Sequence, residues 1–98
     1  MQVNIKDIGG EVVKEDDRYT VKDNTSLRNL ALSSTFLTAG KSTTGHAHVG
    51  QEEVYFFVEG TGIIELDKTR FTVKPGDLVP IKDGVFHKVH NDSDEDLY

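Results

Sequence analysis

Three histidines and one glutamate are the residues of this sequence whose types and spacing can do chemistry. His46 and His48 stand two residues apart, with Glu53 five further on, inside a segment bounded by Gly40 and Gly60. His87 follows far downstream, between Gly76 and Asn91. Alternate side chains of a strand share a face, so an extended Thr43–His48 segment would present both imidazoles on one side. Neutral imidazoles and a carboxylate are the donor set that divalent transition metals take. A His-x-His pair alone reads as two surface rings. The addition of Glu53, His87 and flanking glycines turns the pattern towards a metal centre.

The elements that must position these groups read as β throughout. Apolar residues nowhere recur at helical spacing over a sustained window. Short β-rich runs are expected near 12–13, 19–22, 30–38, 43–48, 54–59, 62–66, 70–73, 77–81 and 85–91, punctuated by Gly, Asp and Asn. Asp67-Lys68 fits a tight hairpin, and Pro75-Gly76-Asp77 and Asp83-Gly84 are turn signals. Strands so short and evenly spaced imply an antiparallel sandwich or barrel, with residues 1–98 forming one domain. On the strand after Glu53, Tyr55 and Phe57 share the glutamate's face, while Val54, Phe56 and Val58 share the other. Neither face is polar enough to be fully wetted. A homodimer with Phe56 among its contacts is therefore expected.

Composition narrows the partners. Seventeen acidic against eleven basic residues give a net charge of −6, which disfavours nucleic acid and anionic membranes. The acidic clusters at Glu15–Asp17 and Asp92–Asp96 read as solvated turns. The absence of cysteine removes disulfides and thiol catalysis, and fits a reducing compartment. No apolar run reaches the roughly 18 residues of a membrane helix. The first residues lack the apolar core and cleavage site of an export signal, so a cytoplasmic location is expected.

The two segments resemble the paired motifs of the cupin superfamily. Gly40, His46, His48, Glu53 and Gly60 match the first motif throughout. Gly76, Gly84, His87 and Asn91 match the second, with Lys82 where that motif has proline and Pro80 two residues earlier. The resemblance implies an all-β double-stranded β-helix, a jelly-roll barrel, with one divalent metal held by His46, His48, Glu53 and His87. Mn, Fe, Ni, Co, Cu and Zn all suit such donors, so the metal's identity is left open. His90 falls on the opposite strand face from His87 and is not expected among the ligands. The resemblance also implies a final core strand, whereas the sequence ends at Leu97-Tyr98, so that strand must be very short or incomplete.

Neighbouring residues are similar to those of cupin-type phosphoglucose and phosphomannose isomerases. That resemblance implies a small polar ligand such as a sugar or sugar phosphate, with Glu53 as ligand and base and Tyr55 positioning the sugar. The His48-to-Glu53 gap is shorter than in those isomerases, and Lys41 and Arg28 are the sole candidates for a phosphate contact. The competing class is a non-catalytic small-ligand or metal-binding module. Dioxygenase or decarboxylase chemistry ranks lower, because no inserted lid would exclude water.

Overall fold

The computed structural model describes residues 2–98. Eight strands follow one another with no helix among the described residues: β1 (Glu11–Glu15), β2 (Tyr19–Asn24), β3 (Leu32–Leu37), β4 (Glu53–Phe56), β5 (Gly62–Leu66), β6 (Thr69–Val73), β7 (Leu78–Ile81) and β8 (His87–His90). Every pairing is antiparallel. β1, β2 and β3 form one ribbon, β4 pairs β7, and β5 sits between β6 and β8.

Backbone hydrogen bonds join these pieces into two facing layers. Leu37 and Leu97 exchange both bonds, at 2.8 and 2.9 Å, while Tyr98 bonds to Val58 and Glu59. Leu97-Tyr98 thus pairs in extended form, filling the gap between β3 and the segment that follows β4. In the other layer residues 41–46 run beside β8: Thr43 donates to Val89, His46 and His87 exchange bonds, and Asn91 donates to Lys41. The result is a jelly roll.

Alternation decides what lies inside. Tyr19, Leu37, Phe57, Ile64, Val73, Val79, Ile81, Val89 and Leu97 form the core between the layers, with Val21, Tyr55, Leu66 and Val85 packed on it. Ile64 has no exposed surface and stands opposite Phe71 on β6 and Val89 on β8. Ile64→Val should therefore cost about 1 kcal/mol, the usual cost of one buried methylene, read as a lower urea midpoint with unchanged slope.

Two expectations change in detail. The strand expected over 43–48 is a bulged segment instead. Ser42 pairs with His90 and His46 with His87, so three residues on one side face two on the other. The proline missing before Gly84 costs no turn. Val85 donates to the Lys82 carbonyl across it, and Asp83 and Gly84 tie it to Gly50 and His48.

Candidate metal centre

Three of the four sequence-predicted ligands converge. One donor atom each from His46, Glu53 and His87 lies within 4.8 Å of the other two. Glu53 opens β4 on its inner face, opposite Ile81 of β7. His87 opens β8, its side chain 2% exposed, in register with Leu66 of β5. His46 reaches them through its bridge to His87, and the two rings stand 4.3 Å apart.

His48 is placed differently. Its ring stands edge-on 4.5 Å from that of His46 and 6.2 Å from that of His87, outside the close group. The cause is local. Past His46 the ladder with β8 ends, the His48 carbonyl accepts from Gly84, and the chain turns at Val49–Gly50. His48 therefore stays exposed at the rim. His90, by contrast, lies on the outer face of β8, bonded to Ser42 Oγ at 2.9 Å and Glu65 Oε1 at 3.0 Å. Arg70 completes that ladder. His90 first and Arg70 second hold the Glu65 carboxyl below its usual value.

Tautomers follow from the backbone. His87 Nδ1 lies 3.2 Å from the Val85 carbonyl and His46 Nδ1 3.4 Å from that of Thr44. A carbonyl only accepts, so each Nδ1 donates and a neutral ring keeps its lone pair on Nε2. His87 Nε2 is buried and has no hydrogen-bond partner among the described residues. It comes within 3.1 Å of Glu53 Oε2, but without hydrogen-bond alignment. Two electron-rich atoms so close repel unless a cation lies between them. Adjacent donors at right angles on an ion with bonds of ~2.1 Å stand about 3.0 Å apart, which fits this spacing. The residues present thus suit a divalent metal.

Tyr55 borders the group, its ring edge-on to His87 at 5.6 Å. Burial, reinforced by the Glu53 charge, pushes its phenol well above the usual value. Tyr55 is therefore a hydrogen-bond donor at neutral pH and not a base. Lys41, expected near the mouth, pairs instead with Asn91 beyond the far end of β8, four residues or roughly 13 Å along the strand from His87. There its ammonium approaches Asp17 at 3.8 Å. Arg28 is exposed on the β2–β3 connection.

The roles of several supporting residues escaped the sequence reading. A Cβ on Gly45 would meet Phe86 Cζ at 2.2 Å, so glycine lets the bulge carry His46 over that ring without turning it aside. Asp67, in the β5–β6 turn, bonds the Phe86 backbone at both ends and so steadies the approach to His87. Asn91 is a brace and not a ligand: its amide donates to the Leu37 and Glu95 carbonyls. Such groups carry no signal of their own, since glycine, aspartate and asparagine are ordinary turn residues.

A small jelly roll with a His/Glu cluster at one end defines the class. A family model described as "Cupin domain" matches residues 35–98, and the chain belongs to the cupin family. An uncharacterised protein of Methanocaldococcus jannaschii, MJ1618, is 32% identical over 84 residues, covering 74% of this chain and 67% of that one. A predicted oxalate decarboxylase from Thermotoga maritima superposes with a TM-score of 0.76 at 23% identity, over 99% of this chain and 92% of its own. KdgF from a Halomonas species gives a TM-score of 0.78 at 17% identity, over 97% and 84%. At these identities the structural likeness speaks for the fold.

Proposed function

We propose that this chain binds one divalent transition metal through His46, Glu53 and His87, with His48 as a fourth donor after a side-chain rotation. Positions left open on the metal take a small polar molecule through its oxygens. The observation carrying this reading is the buried, unpartnered Nε2 of His87 facing the Glu53 carboxylate. A bound metal supplies Lewis acidity, polarising a ligand carbonyl. The chain's own residues then do the rest. The Thr44 and Val85 carbonyls hold the imidazoles in one tautomer, and protonated Tyr55 donates to a ligand oxygen.

For sugar isomerisation, Glu53 is the nearest carboxylate to carry a proton between adjacent carbons. An unphosphorylated small substrate suits the site better than a phosphorylated one, because Lys41 lies at the far end of β8. The second reading is a non-catalytic module that binds the same ligand class. It is favoured by the packed barrel, whose interior is filled by the core side chains. Oxalate decarboxylation, the activity named for the Thermotoga relative, rests on fold likeness alone.

Elemental analysis of protein purified without chelators should find close to one divalent metal per chain. A value near zero after incubation with Mn, Fe, Co, Ni, Cu and Zn would remove the proposal. With metal bound, a sugar or small carboxylate that raises the melting temperature identifies the ligand class. Turnover of that compound then separates enzyme from binding module.

A further inference from the structure

The outer face of β8 carries a second chemical group, on the opposite side of the strand from the metal cluster. Ser42 Oγ lies 2.9 Å from His90 Nδ1, and His90 Nε2 lies 3.0 Å from Glu65 Oε1. A hydroxyl, an imidazole and a carboxylate in that order are the parts of an activated nucleophile. The direction of the bonds is fixed. His90 and Arg70 hold Glu65 ionised, so its oxygens only accept and His90 Nε2 carries the ring proton. Arg70 donates to the same Glu65 oxygen at 3.1 Å, which is what brings it within 3.3 Å of Nε2. The lone pair of the neutral ring is thereby left on Nδ1, where the Ser42 hydroxyl donates to it. His87 shows the contrast, since there a backbone carbonyl claims Nδ1 and puts the lone pair on Nε2. Backbone bonds on either side hold Ser42 against the ring: Asn91 N–H to the Lys41 carbonyl at 2.8 Å, and Thr43 N–H to that of Val89 at 2.9 Å. The His90 and Glu65 side chains are 19% and 23% exposed, partly dehydrated yet within reach of a small molecule.

We propose that Ser42 is a nucleophile, with His90 as its general base and Glu65 orienting the ring, and that it takes acyl groups from small activated esters. Ser42 Oγ bonds to the acyl carbon while His90 Nδ1 takes the hydroxyl proton. The ester's C–O bond breaks, and the proton passes from His90 to the leaving oxygen. Water then gives a proton to His90 and its oxygen to the acyl carbon. The acyl–Oγ bond breaks, Ser42 recovers the proton, and the carboxylic acid leaves. The substrate class follows from the surroundings. The group lies on an open sheet face, with Ile63 opposite His90 and the cations Arg70 and Lys88 opposite Glu65. An open face gives little shelter to a long acyl chain or to the oxyanion of an ester with a poor leaving group. The fitting substrate is a short acyl group on a good leaving group, an aryl ester. The reaction uses no metal, so it stands apart from the metal proposal.

Treatment of the full chain with p-nitrophenyl acetate, and separately with a fluorophosphonate, tests this, with EDTA present so that metal-bound hydroxide contributes nothing. Mass spectrometry of peptides should find the acetyl and phosphonyl groups on Ser42. Ser33, which bonds the Asp23 carboxylate at 2.7 Å with no histidine between them, should stay unlabelled. Ser42→Ala should lose both the label and the burst of nitrophenol. His90→Gln should slow labelling about 100-fold or more, the usual share of a general base. Glu65→Gln should slow it in step with the loss of the Nε2–H tautomer, read by NMR from the ring nitrogen shifts of His90. A carboxylate with a structural role alone would leave the rate unchanged. Circular dichroism checks that each variant keeps the β fold. A wild type left unlabelled at Ser42 overturns the proposal, as does labelling that proceeds undiminished in His90→Gln.

Discussion

His87→Leu is expected to abolish divalent-metal binding while leaving the metal-free fold almost as stable as wild type. His87 is the one fully buried donor of the cluster, and the other two are partly open to water. Its removal should lower affinity by more than about 100-fold, beyond the effect of residues that merely orient a ligand. The stability half of the result discriminates. A histidine kept for structure alone has both nitrogens bonded, and losing it is costly. Here Nε2 is buried without a partner, and only the Nδ1 bond to Val85 is lost. An apolar replacement of similar volume removes an unsatisfied group, so metal-free stability should change by about 1 kcal/mol or less. Wild type in metal at a hundred times its dissociation constant should gain about 2.7 kcal/mol, and the variant nothing. His90→Ala, on the outer face, should keep full metal affinity. Titration calorimetry and thermal melts with and without metal read all three. Equal loss at His87 and His90 would mean that the cluster is not the centre.

Gly60→Ala should be a severely damaging change away from the cluster. Gly60 has φ +84°, and a Cβ there would stand 2.3 Å from the Asp96 carbonyl oxygen. The obstacle is backbone, which no rotamer change relieves. Left-handed strain costs roughly 1–3 kcal/mol before any clash is counted. The segment that must yield is Asp96–Tyr98, whose Leu97 lies in the core and bridges β3 to the end of β4. A loss of about 4 kcal/mol or more is therefore expected, a large share of a small domain's stability. Urea denaturation measures it. A Gly60→Ala protein within about 1 kcal/mol of wild type would show that the crossing relaxes freely.

Family and all-β class were legible because glycines, histidines and a glutamate recur at fixed spacings, and because period-two alternation runs through most strands. Glu53, Tyr55 and Phe57 were correctly set on one face, since alternation in an unbroken strand is a local property. His46 and His48 do end as neighbours, their rings 4.5 Å apart, but the ladder with β8 stops after His46, so only His46 joins the close group with Glu53 and His87. Where pairing ends depends on the partner strand, and nothing local announces it. Lys41 shows a related limit. It is near His46 in sequence but on the wrong side of it along the strand, a direction set by pairing with β8.

What the sequence by itself determined was the donor set, the strand-forming runs and the turns, because each depends on residue type and short spacing. Which donors meet was decided only by the tertiary structure. His46 and His87 lie 41 residues apart, and the β8 pairing alone brings them together. The same holds for the orphaned Nε2 of His87, the Gly45–Phe86 contact and the bare Val54–Phe56 face. Burial and partnership belong to the closed layers and not to any segment, since they depend on what the rest of the chain places opposite.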